Sequence, residues 1–112
     1  MAKFEFRTIG SFDEIVGALD RAILDSALTM RLVEESLIVC RGARVSVRVY
    51  DQYFMRNSSR AALTLTVVEA DGEVAISAIG SGGGTGAIFN FSYGAESKMV
   101  GVVEDAVRRM GL

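Results

Sequence analysis

The chain has 112 residues, with 12 basic and 14 acidic side chains and neither histidine nor proline. A formal charge of −2 offers no general attraction to nucleic acid or to an anionic membrane surface. The missing histidine removes the commonest general base, the commonest metal ligand and every catalytic triad that uses one.

This length fits one domain over residues 1–112. Surface scaling gives roughly 6,000 Å² exposed when folded against about 17,000 Å² extended, enough burial for a core without disulfides or metal. Hydrophobic residues make up 50% of the chain, which is rich for so small a domain. A second apolar surface, covered by a partner or a ligand, is one way to accommodate the excess. Cys40, the single cysteine, reads as a buried reduced thiol. No apolar run approaches the ~20 residues of a membrane-spanning helix, and the first ten residues lack a signal-peptide core, so a cytoplasmic location is expected.

In chain order, Lys3-Phe4-Glu5-Phe6-Arg7-Thr8-Ile9 alternates as a first strand that Gly10 ends. Ser11-Phe12-Asp13-Glu14 has the capping-box pattern and opens a helix whose apolar stripe is Phe12, Ile15, Val16, Leu19, Ala22 and Ile23, ending near Leu24 or Asp25. Residues 27–40 read as one long strand with a bulge or as two short strands. Arg44–Tyr50 and Leu63–Glu69 alternate with period two. Asp71-Gly72 between two such runs is a strong hairpin signal, and Asn57-Ser58-Ser59 reads as a second turn. Glu73–Gly80 is the next strand, and Ala87–Phe91 follows a glycine loop as a short further one. Ser92-Tyr93-Gly94 opens a last helix with Met99, Val102, Val103, Ala106, Val107 and Met110 on one face, Glu104 and Arg108 as an i,i+4 pair, and Gly111 as its stop.

The expected fold is therefore α+β in two layers: an antiparallel sheet of five to six strands with two helices on one face, in the order β-α-β-β-β-β-(β)-α. The expected outer face of the sheet carries Arg44, Ser46, Arg48, Thr64 and Thr66, with Ala75 and Ile79 as apolar exceptions. Val45, Val47 and Val49 are expected against the helices.

Lys3-Phe4-Glu5-Phe6, Gly10-Ser11-Phe12-Asp13-Glu14, Arg48-Val49-Tyr50 and Ser77-Ala78-Ile79-Gly80-Ser81-Gly82-Gly83 together resemble an uncharacterised family of small bacterial proteins, a domain of unknown function. That resemblance brings no activity or site residues. The element order is also similar to a shortened helix-grip domain of the Bet v 1 type, which implies an apolar ligand held between sheet and last helix.

Several residues are weighed as a site. Gly80, Ser81, Gly82, Gly83, Gly84, Thr85 and Gly86 present unhindered backbone N–H groups that can nest around a phosphate. Yet no Gly-Lys-Ser/Thr follows, and the glycine spacing of dinucleotide sites is absent, so an irregular connection is the plainer reading. Asp51 shares the valine face of its strand, near Tyr50 and Tyr53. An inward carboxylate beside a tyrosine is a candidate for a perturbed pKa, against a plain hydrogen bond at the core's edge. Arg41, Arg44 and Arg48, with Tyr50 and Lys98, read as a solvated strand face rather than a site for an acidic partner. Met30, Met55, Met99 and Met110 are expected to fill the core. No catalytic constellation, metal set or cofactor is implied. The expected role is non-enzymatic self-association or protein interaction, without nucleic acid or membrane. A carrier of a small apolar ligand and a phosphate-ligand site at Gly80–Gly86 are the alternatives.

Overall fold

The computed structural model describes residues 2–55, 58–82 and 92–112. Along them lie β1 (Ala2–Ile9), α1 (Phe12–Leu24), β2 (Met30–Cys40), β3 (Ala43–Phe54), β4 (Ser59–Ala70), β5 (Glu73–Gly82) and α2 (Ser92–Met110). The five strands form one antiparallel sheet in the order β1-β5-β4-β3-β2, and both helices pack on the same face. The expected two-layer α+β arrangement is thus observed. The expected strand Ala87–Phe91 and Asn57 of the expected turn lie outside the described residues.

Local chemistry explains the elements. The Ser11 hydroxyl accepts the Glu14 N–H at 3.3 Å, capping α1. The β2–β3 and β4–β5 hairpins turn on Arg41-Gly42 (φ 44° and 79°) and Asp71-Gly72 (φ 52° and 80°). Positive φ at both central positions matches the right-handed twist of the flanking strands, and glycine supplies it at the second without steric cost. β2 is one strand with a bulge between Leu32 and Glu34.

The core lies between the sheet and the helices. Leu63, Leu65 and Val67 of β4 and Val74, Ile76 and Ala78 of β5 meet Met99, Val103 and Val107 of α2. Phe12, Ile15, Leu19 and Ile23 close it from α1. Burying a large apolar side chain contributes about 1.5–3 kcal/mol, so this cluster is the main term holding the two layers together.

The structure corrects the reading of β3. Its even-numbered residues, Arg44, Ser46, Arg48 and Tyr50, face the helices, and Val45, Val47, Val49 and Asp51 lie on the opposite face. The register places Ser46 opposite Val67, Arg48 opposite Leu65 and Tyr50 opposite Leu63, all core residues of β4. Polar groups are tolerated there because α1 supplies partners. The Tyr50 hydroxyl donates to Asp20 Oδ1 at 2.6 Å, and Arg48 Nη1 donates to the same oxygen at 3.0 Å. Arg48 also reaches Glu35 of β2 at 3.1 Å. Arg44 bridges Glu69 and Asp13 while its guanidinium lies 4.5 Å from the Phe12 ring centroid. These arginines are therefore not a solvated face.

Two smaller corrections share one cause. Cys40 and Met55, expected inside, are exposed, Met55 to 77%. Both stand at strand ends outside the buried cluster. Met30 and Met99 are buried as expected.

Burial, and then the bond to Asp20, pushes the Tyr50 phenol well above its usual range. Tyr50→Phe keeps the ring and removes the hydroxyl, and is expected to cost about 2 kcal/mol in chemical denaturation, the worth of a hydrogen bond to a charged group. The wild type should also lose stability as pH rises above the free tyrosine value of about 10, where the unfolded chain releases a proton that the buried phenol keeps. Comparison with Tyr50→Phe isolates this residue's share of that loss.

Candidate functional site

The sheet face turned away from the helices is covered by no described element. Its centre is built by alternation from Val45, Val47 and Val49 of β3, Thr64, Thr66 and Val68 of β4, and Ala75, Ser77 and Ile79 of β5. Each is β-branched or small, the composition that packs well on a pleated surface. Ile38 of β2 extends the patch beside Val45. Charge is confined to the margins. Lys3, Glu5 and Arg7 run along β1, and Arg31, Asp51 and Arg60 gather at the opposite corner. A shallow groove of about 140 Å³ crosses the β1–β5–β4 part, lined among others by Glu5, Arg7, Thr66, Val68, Ala75 and Ser77.

The corner cluster contains two of the residues singled out in the sequence. Asp51 accepts from Arg31 Nε at 2.8 Å and Nη2 at 3.3 Å, and from Arg60 Nη1 at 3.3 Å. The Arg31 guanidinium, bonded to it and beside it, holds the Asp51 carboxyl below the usual aspartate range, with Arg60 adding to the effect. Tyr53 makes no bond to that carboxylate; its ring carries the Arg60 guanidinium 5.3 Å from its centroid, and its carbonyl accepts from Thr29 Oγ1 at 2.7 Å. Asp51 thus has the expected perturbed pKa, in the downward direction, but as a charged anchor on the outer face held by arginines rather than as an inward carboxylate beside a tyrosine. Arg31 and Arg60 carry no local signal in the sequence. Their placement depends on register, with Arg31 opposite Asp51 and Arg60 opposite Tyr53.

The glycine run begins at the same end of the sheet. Gly80 is buried on the helix face, and Ser81 lies on the outer face opposite Ala62, which in turn stands opposite Asp51. Ser81 and Asp51 are thus roughly 10 Å apart, two strand spacings. Gly82 closes β5 opposite Ala61; Gly83, Gly84 and Thr85 lie outside the described residues.

A model of a family of unknown function, DUF6054, matches residues 1–111. The chain belongs to that family. No curated protein is found to match it. The resemblance to a domain of unknown function thus holds over nearly the whole chain, and this member of the family folds as the sheet and helix pair described above. Between the sheet and α2 of this DUF6054 chain, the described residues fill the layer with their own side chains, Met99 and Val103 being 1% and 0% exposed. A cavity of about 140 Å³ opens at its end, among Ser26, Gln52, Lys98, Met99 and Val102. Among the described residues no three of His, Cys, Asp and Glu gather as a metal set, and no helix is long and apolar enough to cross a membrane.

Because the Asp51 pKa is lowered in the folded chain, its ion pairs stabilise the fold above the ordinary aspartate value of about 3.9, and that contribution is lost as pH falls below it. Thermal unfolding of the wild type and Asp51→Asn is expected to show a gap near pH 7 that narrows as pH falls below the ordinary aspartate value.

Proposed function

We propose that this DUF6054 chain is a non-enzymatic, self-associating domain whose outer sheet face packs against the same face of a second copy. The observation that carries the reading is a patch that no described element covers, centred on Val47 and Thr66, directly opposite each other, with charged residues held to its margins. An apolar centre and a polar rim are the anatomy of a protein interface.

The dimensions fit. Five strands about 4.8 Å apart and roughly ten residues long give a face of roughly 800 Å². A stable interface buries about 800 Å² on each partner. Two such faces, packed about 10 Å apart, make a sandwich whose inner residues alternate with those already buried against the helices. The rim suits a like partner, since β1 alternates Lys3, Glu5 and Arg7 and the far corner holds Arg31 and Arg60 around Asp51. Each copy therefore offers both signs of charge to the other. The 50% hydrophobic composition, high for this length, is accounted for by two apolar faces on one sheet.

Val47→Glu places a carboxylate at the centre of the patch without touching the helix-side core. Sedimentation equilibrium at micromolar concentration is expected to show the assembly mass halved, with an unchanged circular dichroism spectrum. A wild-type chain that is monomeric throughout the accessible concentration range would sink the proposal, as would a Val47→Glu mass equal to that of the wild type.

A further inference from the structure

The two edges of the sheet differ. β1 protects itself by alternation, with Lys3, Glu5 and Arg7 exposed at every second position. The first half of β2 is protected by its bulge at Leu32/Glu34 and by the charges of Glu34 and Glu35. Both are recognised devices against edge-to-edge pairing. The second half, Ser36-Leu37-Ile38-Val39-Cys40, has no charge, bulge or proline. Leu37, Ile38 and Val39 are 63%, 51% and 68% exposed, and among the described residues the strand pairs on one side only, with β3. Leu37 and Val39 stand on the helix side, opposite Ser46 and Arg44, where α1 does not cover them.

We propose that this edge pairs antiparallel with the same segment of a second copy, with Ile38 on the two-fold axis. The segment is self-complementary in that register and in neither neighbouring one. Leu37 then stands opposite Val39, Ser36 opposite Cys40, and Glu35 opposite Arg41. Moving the axis to Leu37 sets Glu35 against Val39, and moving it to Val39 sets Arg41 against Leu37, leaving a charge facing an apolar side chain in each case. With the axis at Ile38, both copies keep their helices on one side, and the four side chains Leu37 and Val39 fill the gap between the two α1 helices. Two sheets of five strands become one of ten.

The turn residue favours the same register. Arg41 sits at φ 44°, a left-handed position that asparagine, aspartate or glycine fills more cheaply. The sister hairpin uses Asp71 there. An arginine held at that cost is accounted for by a carboxylate across the two-fold axis, the Glu35 of the second copy.

This contact is separate from the face-to-face packing and does not rest on it. Directly opposed residues in an antiparallel pair have Cα atoms about 4.5–5.5 Å apart, inside the range a disulfide spans. In the full chain, Ser36→Cys with the native Cys40 is expected to form a disulfide-linked dimer under mild oxidation, because each new thiol meets the Cys40 of the other copy. Ile38→Cys in a Cys40→Ser background should link to itself across the axis. Leu37→Cys in that background should not link alone, and should link when mixed with the Val39→Cys variant. Carrying Val47→Glu in each of these chains should leave every pattern unchanged, which separates this contact from the sheet-face reading. Charge reversal gives a readout independent of thiols. Arg41→Glu and Glu35→Lys should each weaken edge association by roughly tenfold, and mixing the two variants should restore it, since both cross-axis pairs are then of opposite sign. Cross-linking of Leu37→Cys to itself, of wild-type Cys40 to itself, or no cross-link in Ser36→Cys and Ile38→Cys chains that fold normally, would overturn the proposal.

Discussion

One oxygen atom decides which way the third strand faces. Asp20 Oδ1 accepts both the Tyr50 hydroxyl and an Arg48 N–H from beneath α1. A carboxylate near the core needs such partners, because a partly buried charge left alone costs several kcal/mol. Asp13, two helical turns earlier and largely exposed, meets Arg44 at 3.3 Å. Two aspartates seven residues apart on a helix are about 10 Å apart along its axis. Two arginines four residues apart on a strand are separated by about 13 Å. Long side chains absorb the difference, so helix and strand meet through charge-assisted bonds where the rest of the interface is apolar. Once Arg44, Arg48 and Tyr50 point inward, the period of two sends Val45, Val47 and Val49 outward. The polar clamp inside and the apolar patch outside are two sides of one register.

Width sets the second constraint. A five-stranded sheet is about 20 Å across between its outermost strands, and more with their side chains. Each helix covers about 10 Å. Here α2 packs over β1, β5 and β4, and α1 lies towards β4 and β2. Long side chains of β3 reach up to α1, and the far half of β2 projects beyond the cover. The exposed Leu37, Val39 and Cys40 follow from that geometry rather than from any peculiarity of their own sequence.

The elements themselves were readable because their signals are local. The Ser11 cap, the Asp71-Gly72 turn and the helical stripes of α1 and α2 each depend on residues within a few positions of one another. Alternation announced the strands equally well, yet it is symmetric: it divides residues into two faces without saying which face the helices cover. For β4 the contrast between leucine and threonine settled the matter. For β3 both faces held something apolar, valines on one and Tyr50 on the other, and the decisive partners lay 28 and 30 residues away on α1. The corner cluster of Arg31, Asp51 and Arg60 was hidden for the same reason, since it exists only once three strands are in register. Met55 and Cys40 misled because residue type speaks of average burial, whereas their strand ends lie outside the packed layers.

The bulge between Leu32 and Glu34 shifts the phase of β2. Upstream of it, the even-numbered Met30 and Leu32 look towards the helices; downstream, the odd-numbered Glu35 and Leu37 do. One surplus residue, Val33, thus acts as a frame shift written in the backbone. It lets Arg31 reach Asp51 on the outer surface while Glu35 reaches Arg48 on the inner one. A strand of uninterrupted parity could satisfy only one of those two acid–base pairs. The length of this segment is therefore as constrained as its composition, and insertions or deletions of a single residue there would be felt on both surfaces at once.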